Sequence, residues 1–193
     1  MASVASARDT DTELIQQIVQ GDERAFDQLV SKYQHSVFNI IYRYIGNYED
    51  VEDVAQEVFI KIWQNAHSFK GKSKFSTWLY RIVVNQCLDY RSKHKRKLVS
   101  LDEMTEKEQT PESLIVEVDH EQRKKAEIVR KAVGDLPERQ RIAIVLSKFE
   151  DKSYKEIAEI MGVSLSAVES LIFRAKESLK KKLLPLKKDA PHL

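Results

Sequence analysis

Between Phe69 and Arg81 the chain sets rings and cations side by side: Phe69-Lys70-Gly71-Lys72-Ser73-Lys74-Phe75-Ser76-Thr77-Trp78-Leu79-Tyr80-Arg81. Lys70, Lys72 and Lys74 stand around one glycine, with no carboxylate among them. This combination suits single-stranded nucleic acid, because cations track the phosphates and flat rings stack on unpaired bases. The competing reading is a surface turn whose rings fold back into the core. The lysines, unanswered by a nearby acid in the sequence, favour the first.

Two helices must hold this turn. Before it, Val51, Val54, Ala55, Val58, Phe59, Ile62 and Trp63 recur at the spacing of an amphipathic helix. Asn47 is its expected N-cap, and Glu49 and Asp50 suit the positive end of the helix dipole. The opposite face carries Asp53, Gln56, Glu57, Ile60 and Gln64. An isoleucine in that polar face is either a stray exposed side chain or the centre of a docking surface. After the turn, a second helix is expected from near Ser76 to about Ser92. Leu79, Ile82, Val83 and Tyr90 mark its buried side, while Trp78, Arg81, Asn85 and Asp89 share another. Arginine and asparagine can read base edges. The run Arg91-Ser92-Lys93-His94-Lys95-Arg96-Lys97 contains no acid and is placed to neutralise phosphates.

Composition bounds the function classes. The 193 residues allow one or two domains of ordinary size. Net charge is only +2 with 32% charged residues, so nucleic-acid binding would be confined to local basic patches. The single cysteine, Cys87, excludes an internal disulfide and a cysteine-cluster metal site. It falls toward the buried side of its helix, as a small core residue would. No apolar run reaches membrane-spanning length and no hydrophobic signal segment opens the chain, so a soluble intracellular protein is expected. The five histidines are scattered, and no phosphate-cradling glycine loop or nucleophile–base set is present; neither an enzyme nor a cofactor or metal site is indicated.

Along the chain, residues 1–10 are expected to fray. Leu14, Ile15, Ile18 and Val19 line a short helix stopped by Gly21. Asp22 caps a longer one carrying Phe26, Leu29, Val30, Tyr33, Val37, Ile40, Ile41, Tyr44 and Ile45, ended by Gly46. Residues 11–97 thus form a first helical domain. Residues 98–121 break the pattern: between Asp102 and Glu121 lie eight acidic residues and one lysine, Lys107, and Thr110-Pro111 marks a turn. This reads as a flexible acidic linker, or as a segment lying over a basic surface.

Residues 122–186 form a second helical domain. Ala126, Val129, Ala132 and Val133 line its first helix, and Pro137 opens the next, whose core side is Ile142, Val145, Leu146 and Phe149. Ser153-Tyr154-Lys155-Glu156 fits a capping box before Ile157, Ala158, Ile160 and Met161. Gly162 turns the chain into a longer basic helix capped by Ser164 or Ser166, which completes a helix-turn-helix. On it Leu165, Val168, Ile172, Ala175 and Leu179 face inward, and Ser166, Ser170, Phe173, Arg174, Glu177 and Lys181 outward. Phe173 beside Arg174 suits thymine methyls together with a guanine or phosphate. A helical hairpin with a charged outer face is the plainer alternative. The fold class is all-α: two small helical domains joined by an acidic linker.

Asp53-Val54-Ala55-Gln56-Glu57-Val58-Phe59-Ile60-Lys61, Phe75-Ser76-Thr77-Trp78-Leu79-Tyr80-Arg81-Ile82 and Ser153-Tyr154-Lys155-Glu156-Ile157-Ala158, in this order, resemble a bacterial RNA polymerase sigma factor of the small extracytoplasmic-function type, over roughly residues 13–186. The resemblance implies that Asp53, Gln56, Glu57, Ile60 and Lys61 bind core polymerase on a coiled coil of its large catalytic subunit, with the flap region as a further contact. It implies that Phe69, Lys70, Lys72, Lys74, Phe75, Trp78, Arg81 and Asn85 capture and read the minus-ten element, a flipped base included. It implies that Ser166, Ser170, Phe173, Arg174 and Lys181 contact the minus-thirty-five element. Many relatives carry arginine where this chain has Glu169 and Leu171, so the upstream sequence read here should differ. The implied partners are core polymerase, promoter DNA and an anti-sigma factor, often membrane-anchored, which would hold an otherwise cytoplasmic monomer at the inner membrane. No small-molecule substrate or cofactor is implied. A helix-turn-helix regulator that binds duplex DNA alone is the alternative from another class, and the 69–90 stretch argues against it.

Overall fold

In a computed structural model, residues 3–100 and 120–189 are described, with side chains described for 10–94 and 125–185. The 98–121 linker falls almost wholly outside the described residues. Eight α-helices and one 3-10 turn (Ala66–Ser68) make up the described chain, and no helix is long and apolar enough to cross a membrane.

The first half contains α1 (Ser3–Val19), α2 (Glu23–Ile45), α3 (Tyr48–Asn65) and α4 (Phe75–Ser100). Helix α1 begins at Ser3 rather than at Asp11, so residues 3–10 join the helix instead of fraying. Asp11 fastens it to α2 by accepting from Lys32 and, at 2.7 Å, from the Tyr33 hydroxyl. Helix α2 starts on Asp22, whose carboxylate accepts from the Arg24 and Ala25 amides, and ends on Gly46 at φ 86°. That left-handed conformation suits glycine, and the Gly46 amide closes the last turn on the Tyr42 carbonyl. Asn47 then caps α3 as expected, accepting from the Glu49 amide. Buried Leu29, Val37, Ile40, Ile41, Val58, Ile62, Leu79 and Val83 bring α2, α3 and α4 together. Cys87 is fully buried among them, and burial pushes its thiol pKa up, which leaves it a packing residue.

The second half contains α5 (His120–Gly134), α6 (Glu138–Lys148), α7 (Tyr154–Met161) and α8 (Leu165–Asp189). Helix α6 is its axis: every residue from Arg141 to Leu146 is buried. The capping box is made as the sequence indicates, with the Ser153 hydroxyl accepting from the Glu156 amide and the Glu156 carboxylate from the Ser153 amide. Gly162, at φ 64°, turns the chain from α7 into α8, and Ser164 caps α8 by accepting from the Ala167 amide at 3.2 Å. Three assignments need correction. Ala126 and Val129 are exposed on α5, where Ala132 and Val133 carry the packing. Leu165 is exposed at the first position of α8, before the helix meets its neighbours. Phe149 ends α6 partly exposed, with the Arg43 guanidinium 4.0 Å above its ring.

The two halves share one apolar core, and α7 packs against α4 while α5 and α6 pack against α2.

Candidate nucleic-acid and partner interfaces

The polar face of α3 is presented outward. Asp53, Gln56, Glu57 and Ile60 are exposed, and Ile60 keeps 53% of its surface accessible, which is unusual for a large aliphatic side chain amid charges. Glu57 and Lys61 are already engaged. Lys61 Nζ donates to Gln86 Oε1 and Gln86 Nε2 to a Glu57 carboxylate oxygen, so the buried amide of Gln86 on α4 fixes both α3 side chains. This leaves Asp53, Gln56 and Ile60 as the unconstrained part of the surface.

The 69–75 turn separates its rings from its cations. Phe75 is only 4% exposed and sits edge-on to Tyr33 at 5.4 Å and to Phe69 at 5.7 Å. Trp78 closes the group at 5.6 Å from Phe69 and 5.7 Å from Phe75. The expectation of free rings is corrected for Phe75: it belongs to the core, because four aromatic rings gain more by packing edge to face than by standing in water. Phe69 and Trp78 are half-buried, while Lys70 and Lys72 point outward, Lys70 reaching the His67 carbonyl at 3.3 Å.

Lys74 also needs correction, since it is answered by an acid from the other half of the chain. Its ammonium lies 2.9 Å from the Glu156 carboxylate on α7. Arg81, one face along α4, donates to the Glu159 carbonyl at 2.6 Å. Lys152 sits 4.8 Å above the Tyr80 ring. Helix α7 therefore covers the Lys74–Arg81 side of α4, while Asn85, just over one turn beyond Arg81, stays exposed.

Arginines complete this junction. Arg141 is 2% exposed and donates to the Tyr44 carbonyl at 2.8 Å, to the Leu136 carbonyl at 3.2 Å, and to the Gly134 carbonyl. Arg130 donates to the Gly46 carbonyl at 3.0 Å. The carbonyl end of α2, the negative pole of its dipole, thus receives two guanidiniums from the other domain. Burial pulls the Arg141 pKa down from its usual value, and the neighbouring carbonyls are what make a charge tolerable there. Reading the sequence alone missed Arg141, Arg130 and Gln86. The signal for Arg141 was its position one turn before Val145, on the apolar side of α6.

The outer face of α8 is open. Ser166, Ser170, Phe173, Arg174 and Lys181 are all exposed, Phe173 at 67%. Glu169, Ser170, Phe173 and Arg174 line a shallow concavity of about 470 Å³. A cation, a carboxylate, a hydroxyl and an aromatic edge in one hollow on a capped helix is a chemically mixed surface, able to meet donors, acceptors and methyl groups in a major groove.

Two family models match the chain: Sigma-70 region 2 over residues 29–97 and Sigma-70, region 4 over residues 126–179. An ECF RNA polymerase sigma-E factor of Haemophilus influenzae is 38% identical over 92% of this chain and 97% of its own length. An RNA polymerase sigma-H factor of Pseudomonas aeruginosa is 36% identical over 95% of this chain and 98% of its own. Among solved structures, CnrH in complex with the cytosolic domain of CnrY aligns with a TM-score of 0.67 and 28% identity, covering 90% of this chain and 97% of CnrH.

Proposed function

From a chain that belongs to the extracytoplasmic-function family of RNA polymerase sigma factors, we propose a division of labour among its surfaces. Residues 11–97 dock on core polymerase and engage the minus-ten element, residues 122–186 read the minus-thirty-five element, and residues 98–121 link them. The exposed strip Asp53–Gln56–Ile60 of α3 is the docking centre, with Glu57 and Lys61 held in place by Gln86. Lys70 and Lys72 follow the phosphates of the opened strand, and the edge-on and tilted Phe69–Phe75–Trp78 group forms an aromatic floor for the turn. Asn85 and, once released, Lys74 and Arg81 extend that surface along α4.

The observation that carries this reading is the pairing, in one chain, of an aromatic-floored lysine turn with a separate exposed helix-turn-helix face. A duplex-reading regulator needs the second but has no use for the first. The protein acts by recognition and strand separation and contributes no bond chemistry of its own.

Helix α7 covers the Lys74–Arg81 side of α4, so full engagement of the minus-ten element requires the two domains to part. We assign the protein to the cytoplasm and expect an inhibitory partner that holds it away from polymerase. CnrH, captured with the cytosolic domain of CnrY, supports such a partner. A membrane anchor on that partner is the form we favour.

Run-off transcription tests the reading. Purified core polymerase, with and without this protein, is given promoter fragments from the source genome. Discrete protein-dependent transcripts are expected. No transcripts, together with specific duplex binding by the protein alone, would favour a stand-alone regulator instead.

A further inference from the structure

The hollow on α8 holds one group that phosphate contact cannot use. Glu169 is exposed, lines the concavity with Ser170, Phe173 and Arg174, and has no hydrogen-bond or ion-pair partner among the described residues. Arg174 shares the hollow without pairing to it. A carboxylate facing a phosphate backbone is repelled, so on a helix entering the major groove it is favourable only opposite a base-edge donor. Guanine presents N7 and O6 acceptors, and thymine an O4 acceptor and a methyl. Adenine presents its N6 amine beside the N7 acceptor, which repels a carboxylate. Cytosine alone presents an N4 amine donor with no acceptor beside it.

Position agrees with chemistry. Glu169 is the fifth residue of a helix whose start is fixed by the Ser164 cap, and the N-terminal residues of recognition helices are those that reach base edges. Having no partner to give up, the carboxylate trades only its water for the base. We infer that Glu169 is a specificity-determining residue that accepts a hydrogen bond from a cytosine N4 amine in the upstream element. This rests on the reading of α8 as the upstream reader. Arg174, in the same hollow, meets the acceptors of a guanine in the same or the next base pair.

The test uses holoenzyme assembled from core polymerase and the full chain. The upstream element is first found by selection from randomised duplexes, and all four bases are then scanned at each position. One position should favour cytosine by about ten-fold. Glu169→Ala should flatten the preference at that position and leave the others intact. Glu169→Gln should shift it toward adenine, because a carboxamide both donates to N7 and accepts from N6. If Glu169→Ala instead raises affinity by one factor for every sequence, the carboxylate only repels phosphate and the proposal falls. It falls equally if that variant changes nothing. Arg174→Ala separates the two levels: binding unchanged on every sequence would take α8 off the DNA and sink the upstream reading itself.

Discussion

Arg141 shows how one side chain can bind a fold together. Its guanidinium serves three carbonyls from two parts of the chain while 98% of its surface is withdrawn from water (2% exposed). Replacing it with alanine strands buried acceptors and opens a void. Because buried acceptors left unmet cost about 1–3 kcal/mol, a loss at or above the top of that range is expected, read as a lower denaturant midpoint. Ile60 is the opposite case. It is half-exposed, so Ile60→Asp should leave the unfolding midpoint unchanged yet end co-purification with core polymerase; undiminished co-purification would remove α3 from the docking surface. Phe75 marks the limit of residue-level reading. Sequence order put it beside lysines and suggested an open ring, but its neighbours in space are Tyr33, Phe69 and Trp78. Phe75→Ala should cost about 3–5 kcal/mol, the range for a buried phenylalanine. A defect in promoter opening is therefore cleaner to read from Lys72→Ala, which removes only an exposed charge.

At the scale of elements, local signals were legible wherever the physics was local. The Asp22, Asn47 and Ser153 caps, the Gly46 and Gly162 turns and the apolar stripes of α2, α3 and α7 all depend on neighbours within a few residues. Ser153→Ala removes one side of the capping box and should cost about 1 kcal/mol, seen as a lower melting temperature. Helix ends without such signals were misjudged. Helix α4 runs to Ser100 rather than stopping near Ser92, because lysine and arginine are good helix formers and no glycine or proline interrupts them. Helix α1 likewise extends back through small residues to Ser3. The exposed face of α8 was read correctly because its helical period is regular from Val168 to Leu179. The covering of Lys74 and Arg81 had no such signal, since Glu156 and Glu159 lie some eighty residues away in sequence and only the closed fold brings them near.

The whole molecule is held shut by contacts of unequal strength. The Lys74–Glu156 pair is the most visible, but the Lys74 side chain is 47% exposed, and exposed pairs are worth about 0.2–1 kcal/mol. The Lys74 ammonium, helped by the Ser153 amide and hydroxyl, lowers the Glu156 pKa to about 2 from its ordinary 4.5. A depressed carboxylate pKa stabilises the paired state fully above pH 4.5, and that contribution is lost as pH falls through about 2. At neutral pH the pair is intact, and salt weakens it. Arg141, buried against the carbonyl end of α2 away from salt screening, and the partly buried Arg130 beside it carry more of the closure. Glu156→Gln keeps the capping box, since glutamine serves at that position, and removes only the charge. It should leave the separation between the domains unchanged at physiological salt, measured by energy transfer between labels on α3 and α8. Arg141→Met should widen that separation while circular dichroism keeps the helical signal, and it should raise minus-ten binding in the absence of polymerase because Lys74 and Arg81 are freed. Widening with Glu156→Gln and none with Arg141→Met would reverse the ranking and make the ion pair, not the buried guanidinium, the latch between the domains.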